Sequence, residues 1–194
     1  MSCDVIILGA GAAGLMTAIA AQEQGKKILI LESNEKAGRK IIISGGGRCN
    51  FTNTHVTPED YVSQNSHFCK SALAQFAPED FIRLVKSAEI SFYEKTLGQL
   101  FCEKSSAEIL NMLLCKIDSP DCEIRTEVQI RSVQFSDGLF VVTSDGETFQ
   151  GKNLVVATGG LSYPSLGASD LGYRLARQFG HKDTELWPAL DGIV

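Results

Sequence analysis

Asp4-Val-Ile-Ile-Leu-Gly9-Ala-Gly11-Ala-Ala-Gly14, followed further along by Lys27-Ile-Leu-Ile-Leu-Glu32, decides how this chain folds. Asp4–Gly9 is a short continuous apolar run, as expected of a parallel strand covered on both faces. Ala12 to about Gln24 is rich in Ala, Leu and Met, which favours helix, and Gly25 stands where a C-cap glycine belongs. The second apolar run, Lys27–Glu32, ends in an acid. Strand, helix and strand in such quick succession form a βαβ unit, whose right-handed crossover lays the two strands side by side.

Inside that unit the glycine spacing acquires chemical meaning. Gly9 permits the tight turn out of the strand, Gly11 lets a pyrophosphate approach the backbone, and Gly14 permits close helix–strand packing. Free N–H groups near Ala12 and Ala13, with the helix dipole, favour phosphate oxygens. Glu32 can accept hydrogen bonds from ribose hydroxyls, and its charge repels a 2′-phosphate. The bland alternative is a glycine-rich helix packed tightly on a sheet. The motif by itself does not separate NAD from FAD.

Two later features favour FAD. Asn153-Leu-Val-Val-Ala-Thr158 reads as another buried strand, and it delivers Thr158, Gly159 and Gly160 at its C-terminal edge, where open α/β sheets bind ligands. Before it, Glu123–Thr126, Gln129–Phe135, Leu139–Thr143 and Thr148–Phe149 read as an antiparallel meander, with Asp137-Gly138 and Asp145-Gly146 as hairpin turns. An inserted meander is the layout of two-dinucleotide-fold flavoproteins. Elsewhere, Ser66–Ala88 reads as one or two helices split at Ala77-Pro78, and Phe92–Tyr93 and Leu100–Phe101 as short strands. A helix capped by Ser105/Ser106 runs to about Ile117, and a last one spans about Asp170 to Gln178, closed by Gly180.

Gly38 to Asn53 reads as a glycine-rich loop. Gly45, Gly46 and Gly47 let backbone lie against a flat ring or a phosphate, and Arg39, Lys40 and Arg48 can neutralise an anion. Asn50 and Asn53 can hydrogen-bond heteroatoms. Its apolar centre, Ile41-Ile-Ile43, argues against a free surface loop.

GRKIIISGGGRCNFTN, following GAGAAG and Glu32, closely resembles bacterial FAD-dependent oxidoreductases of the BaiN-like and aminoacetone-oxidase-like family. The run ATGGLSYPSLGASDLGYRLARQFGH is similar to that family's stretch after the flavin-side strand, so the resemblance spans residues 4–188. It implies an α/β, Rossmann-like FAD-binding domain of the two-dinucleotide-fold type, with a parallel sheet and a meander, and a largely β substrate domain inserted further on. The chain then reads, over 1–194, as the N-terminal portion of the FAD domain, incomplete at its C-terminal end, with Asp191-Gly-Ile-Val where the family continues Val-Pro. The resemblance places Ala13, Gly14, Glu32, Lys40 and the Gly45–Asn50 loop against FAD, with Val128 meeting the adenine through its backbone. The full cofactor-binding set expected is Gly9, Gly11, Ala12, Ala13, Gly14, Glu32, Ser33, Arg39, Lys40, Ser44, Gly45, Gly46, Gly47, Arg48, Cys49, Asn50, Val128, Thr158 and Gly159. Arg48 is the candidate stabiliser of reduced flavin. Tyr163 and Pro164 are candidate borders of the substrate pocket.

Composition bounds the partners. With 18 Lys plus Arg against 23 Asp plus Glu the net charge is −5, which argues against a general nucleic-acid binder. Lys36 to Pro58 nevertheless holds four basic residues and no acid. The apolar run Val5–Ala21 falls short of the ~20 residues that cross a bilayer, and no basic segment precedes it. Six cysteines without a CxxC pair read as reduced thiols in the cytoplasm, Cys49 lining the flavin, and the three dispersed histidines lack metal-ligand spacing. The expected function is hydride transfer between flavin and a small organic substrate. No second GxGxxG is present, so NAD(P)H would dock directly on the flavin, or dioxygen would be the oxidant. Two alternatives stay open: a non-catalytic fragment that needs a second chain carrying the missing half, and an NAD-dependent dehydrogenase, for which no convincingly spaced His or Tyr-Lys pair exists.

Overall fold

The computed structural model describes residues 2–162 and 167–186. β1 (Ser2–Leu8), α1 (Ala12–Glu23) and β2 (Ile28–Leu31) form the expected βαβ unit, with Val5 opposite Ile28 and Leu8 opposite Leu31 in parallel register. A long crossover follows, carrying α2 (Arg39–Ile43), β3 (Asn50–Asn53), α3 (Lys70–Gln75), α4 (Pro78–Ser87), β4 (Phe92–Glu94), β5 (Gln99–Cys102) and α5 (Ala107–Lys116). The chain then returns to the sheet as β6 (Cys122–Arg125), continues through β7 (Ile130–Ser136), β8 (Leu139–Ser144) and β9 (Thr148–Val156), and ends its described part with α6 (Leu171–Gln178). The main sheet has the order β6-β2-β1-β9-β8-β7, and β3-β5-β4 form a small antiparallel sheet.

Three expectations need correction. Glu123–Thr126 is not part of the meander: all but Thr126 lies in β6, parallel to β2, with Ile28 opposite Cys122. The Ser119-Pro120 stop ends the α5 crossover there, and a crossover helix delivers a parallel neighbour, whereas a hairpin would deliver an antiparallel one. Thr148–Phe149 and Asn153–Thr158 are not two strands: they fall on one strand, β9, which ends at Val156 and pairs antiparallel with β8 over 148–151 and parallel with β1 from Gln150 to Val156. Gly38–Asn53 is not a loop. It folds as α2, a tight 3-10 turn over Ser44–Gly47 and β3, because Ile41 buries itself in the core and anchors a helical turn.

The apolar runs of β1 and β2 sort by the period-two alternation of strands. Val5, Ile7, Ile28 and Ile30 face one way and pack with Leu15, Ala18 and Ile19 of α1 and Ile109, Met112 and Leu113 of α5. Ile6, Leu8, Leu29 and Leu31 face the other way, against Val133, Val142 and Phe149 of the meander and Leu175 of α6. A strand covered on both faces has no polar positions, which is why these segments are uninterrupted hydrocarbon. Each such side chain contributes about 1.5–3 kcal/mol of burial, so both ends of the sheet centre are held firmly. Among the described residues no helix is long and apolar enough to cross a membrane.

Candidate functional site

The rigid centre of the sheet ends at Leu8, and the chain must turn at once into α1. Gly9 does so with φ +103°, and a Cβ there would stand 2.6 Å from the carbonyl oxygen of Ala157. A Cβ on Gly14 would stand 1.9 Å from the Gly9 carbonyl oxygen, so the first turn of α1 rides directly on the turn that precedes it. A Cβ on Gly11 would meet nothing within 4 Å. Gly11 is the N-cap of α1 and offers no side-chain cap, so the helix starts on an open, side-chain-free surface. Ala12 and Ala13 beside it are exposed. First-turn N–H groups have no intrahelical acceptor, and a dipole of this sense favours an anion in that space.

Glu32 closes the neighbouring strand and is only 8% exposed. Its Oε2 accepts from the Ala10 backbone N–H at 2.8 Å, directly under the turn. Its Oε1 accepts from the Asn34 N–H at 2.9 Å and the Asn34 side-chain Nδ2 at 2.6 Å. The Ala10 carbonyl takes the Gly38 N–H at 2.9 Å, which stitches the start of α2 to the same turn. Alongside, the Val128 N–H donates to the Glu32 carbonyl (2.9 Å) and the Gln129 Nε2 to the Ser33 carbonyl (2.9 Å), bringing the post-β6 segment to the end of β2.

These ends enclose a cleft of about 1130 Å³. Gly9, Gly11, Ala12, Ala13, Glu32, Ser33, Arg39, Lys40, Ser44, Cys49, Asn50, Val128, Thr158 and Gly159 all line it. Gly14, Gly45, Gly46, Gly47 and Arg48 do not contribute to that lining. Gly14 packs on the Gly9 backbone, and Gly45 lies against Asn50 and Phe101. A Cβ on Gly46 or Gly47 would meet open space. The exposed Arg48 donates from its guanidinium to the Glu103 carbonyl, and its own carbonyl accepts from the Cys102 N–H at 2.8 Å. Tyr163 and Pro164 lie outside the described residues, as does the Asp191–Val194 end.

Across the cleft Lys40 Nζ stands 3.4 Å from Ser162 Oγ, so α2 faces the end of β9. Cys49 is buried, and burial pushes its thiol above the usual range, as it pushes the neighbouring Cys102 up to about 11. A protonated thiol is a lining group and not a nucleophile. No disulfide and no metal-ligating cluster occurs among the described residues. Sequence reasoning missed Asn34, Gln129 and the start of α6 (Leu171–Arg174), which also line the cleft. Asn34 had a signal, an amide two residues past the acid. The α6 start had none beyond the small Gly172, which comes so close to β9 that a Cβ would lie 2.8 Å from Thr158 Oγ1.

The donor set fits a dinucleotide: an open anion cradle at Gly11–Ala13, a diol acceptor at Glu32, and small residues at the end of β9. Strand order, meander and site together define a Rossmann-type domain of the FAD-binding flavoprotein kind. The chain belongs to the HI0933-like protein Rossmann domain family, whose model matches residues 3–186. It is 49% identical over 191 residues to the ribosomal RNA dihydrouridine synthase of Escherichia coli K12, covering 98% of this chain and 47% of that protein. It is 32% identical over 188 residues to the 3-dehydro-bile acid delta(4,6)-reductase of Clostridium scindens, covering 95% and 46%. The chain thus spans about half the length of these relatives. Among solved structures it is similar to the Mycobacterium smegmatis Sdh1 complex (TM-score 0.63, 20% identity, 82% of this chain and 34% of that one). It is also similar to OTEMO in complex with FAD and NADP (TM-score 0.51, 20% identity, 82% and 26%). Those likenesses establish the fold.

Proposed function

We propose that this chain is the FAD-binding portion of a flavin-dependent reductase that saturates a ring carbon–carbon double bond conjugated to a carbonyl, with a uracil base of ribosomal RNA as substrate. The observation that carries the cofactor half is the side-chain-free space at Gly11 set beside a buried carboxylate, Glu32, tied to the same turn. The N–H groups at Ala12 and Ala13 would take the pyrophosphate, Glu32 the ribose diol, and the Val128 backbone the adenine edge. Arg39 and Lys40 add positive charge along the wall, and Cys49, Ile41 and Ser44 close the apolar side against water. When bound, FAD supplies the hydride-carrying ring system that no side chain provides.

The substrate half rests on the relatives. Dihydrouridine is uridine saturated in its uracil ring, and a delta(4,6)-reductase saturates ring double bonds of a keto-steroid, so the two named reactions share one chemistry. The higher identity, 49% against 32%, favours the nucleobase. A second reading, a small organic substrate and no nucleic-acid partner, is favoured by the net charge of −5 and by the bile-acid relative. NAD(P)H is the proposed electron donor under either reading. The proposed setting is the cytoplasm, with the remaining length of the protein supplying the substrate wall.

The test is nucleoside mass spectrometry of ribosomal RNA from cells with and without the gene. Loss of one dihydrouridine on deletion, restored by the wild-type gene and not by a Glu32→Ala, Gly11→Val variant, is the expected result. Unchanged ribosomal RNA together with NADPH-dependent reduction of a keto-steroid by the purified flavoprotein would transfer the proposal to the second reading.

A further inference from the structure

Asn34 was not expected to matter, yet its amide sits at the junction of every wall of the adenosine end. Its Nδ2 and its backbone N–H both donate to Glu32 Oε1, at 2.6 and 2.9 Å. Its Oδ1 accepts from Arg39 Nη1 at 2.5 Å. Its own carbonyl takes the Glu127 N–H at 3.0 Å, so its backbone is fixed by the segment that carries Val128. Above it the returning chain closes down, and a Cβ on Gly167 would lie 2.9 Å from Oδ1 and 3.0 Å from Nδ2. An amide donates to the carboxylate and accepts from the guanidinium through two separate atoms, so the one Asn34 side chain meets both partners. Aspartate would set two carboxylates together, and alanine would take from Glu32 its shortest hydrogen bond.

Glu32 Oε1 already receives two donors from Asn34, and the Ser33 hydroxyl stands 3.4 Å away. Oε2 receives one, from Ala10. A carboxylate oxygen accepts about two hydrogen bonds. Oε2 is therefore the oxygen with capacity to spare, and it is the one held beneath the glycine turn. Without the Asn34 amide the carboxylate would keep the Ala10 and Asn34 backbone donors and the long Ser33 contact, and Oε1 would be held less tightly.

We infer that Asn34 is a positioning residue: it orients Glu32 so that Oε2 receives the nucleoside half of the cofactor. The inference rests on the reading of this cleft as an FAD site. It differs from the roles argued for Glu32 and the glycines because Asn34 acts through another side chain.

The experiment uses the whole protein, freed of flavin, with ADP titrated calorimetrically and FAD by absorbance. Asn34→Ala should weaken ADP and FAD in parallel by about tenfold, the scale of one charge-assisted hydrogen bond. The visible spectrum of the flavin that remains bound should match wild type, since the ring end is untouched. Adding Asn34→Ala to Glu32→Ala should cost nothing further, because the amide acts through the carboxylate. Asn34→Asp is isosteric and keeps the Oδ1 acceptor but sets a second carboxylate against Glu32, so it should melt below wild type and bind ADP at least as weakly as Asn34→Ala. Urea unfolding of Asn34→Ala, with a midpoint well above the assay condition, guards against misfolding. The inference is overturned if both variants bind ADP as wild type does, if the losses add to that of Glu32→Ala, or if the flavin spectrum shifts with the loss. A wild-type protein that binds neither ADP nor FAD overturns the cofactor reading itself, and the inference falls with it.

Discussion

Replacing Gly11 and Gly14 separately by alanine should divide ligand binding from folding. At Gly11 the new methyl meets nothing within 4 Å, and the residue already has φ −82°, which alanine adopts freely. Alanine is the poorer N-cap, by up to about 1 kcal/mol, but it loses less chain entropy on folding, by about 0.4–1 kcal/mol. The two roughly cancel, so Gly11→Ala should unfold within about 0.5 kcal/mol of wild type. The methyl does, however, occupy the space over the start of α1. A pyrophosphate held off by it would lose a charge-assisted hydrogen bond at about 1.5–3 kcal/mol, a fall in affinity of about tenfold to 150-fold. At Gly14 the methyl would overlap the Gly9 carbonyl oxygen at 1.9 Å, so α1 must lift by about 1 Å or more from the sheet, an overpacking cost of about 1–3 kcal/mol or above. Urea unfolding of the apoprotein and calorimetric titration with ADP measure the two quantities. Gly11→Ala should keep the midpoint and lose the ligand, while Gly14→Ala should lose both. A Gly11→Ala protein that binds ADP normally would refute the reasoning, since the vacant space would then not be where the phosphates go.

Ser106 is 2% exposed, its Oγ donates to the Ile42 carbonyl at 2.6 Å, and its N–H donates to the Gly47 carbonyl at 2.8 Å. Ser106→Ala leaves the Ile42 carbonyl short of a partner and should cost about 1–3 kcal/mol in urea unfolding, with flavin content falling alongside. Leu15→Ala, in the fully buried row of α1, should cost about 2–5 kcal/mol through the cavity it opens, with little change in the ligand affinity of the folded fraction. In thiol alkylation followed by peptide mass spectrometry, exposed Cys115 should react first at neutral pH, and Cys49 and Cys102 last. Burial raises those two thiols, so at any given pH less of each is thiolate. The same shift sets an alkaline limit: Cys102, near 9 when unfolded and about 11 when folded, contributes stability below pH 9 that is lost as pH rises toward 11. Cys102→Ala should flatten that decline in melting temperature.

What could be read from the sequence is what depends on local periodicity. The runs Asp4–Gly9 and Lys27–Glu32 carry their strand identity in themselves, and the Gly9–Gly14 spacing carries the turn and helix start. β6 could not be placed the same way. Cys122-Glu-Ile-Arg is equally a meander strand or a sheet edge, and only the arrival of α5 against α1 decides for the parallel position beside β2. The helix at Arg39–Ile43 hid because glycines flank it and only Ile41 of its three isoleucines is buried, so it has too short an apolar face to show a period. Asn34 left only a faint signal, its amide two residues past Glu32, for another reason. Its role lies in a three-way contact between the ends of β2, α2 and the segment after β9, and spacing along the chain does not encode such a meeting.

The site is assembled from two kinds of wall, and they should fail differently. One wall is the sheet itself: Leu8 and Leu31 are almost wholly buried just before the chain turns, so Gly9, Ala10 and Glu32 inherit the rigidity of the core. The other wall is the crossover, where α2 and the Ser44–Gly47 turn lean on residues 102–106 through the Ser106, Cys102 and Arg48 hydrogen bonds. Disturbing the first wall costs global stability, because the same contacts hold the sheet. The second is tied to the core through Ile41 and Cys49, but the glycine turn between them is held by hydrogen bonds, so local opening of that turn costs less than unfolding. Hydrogen exchange should therefore find the amides of 45–49 exchanging faster than those of β1 and β2 in the apoprotein. Added FAD should slow the 45–49 group most, if that wall closes on the ring end of the cofactor. Equal protection of both walls with and without FAD would place the ring elsewhere and leave the Gly45–Asn50 segment a purely structural one.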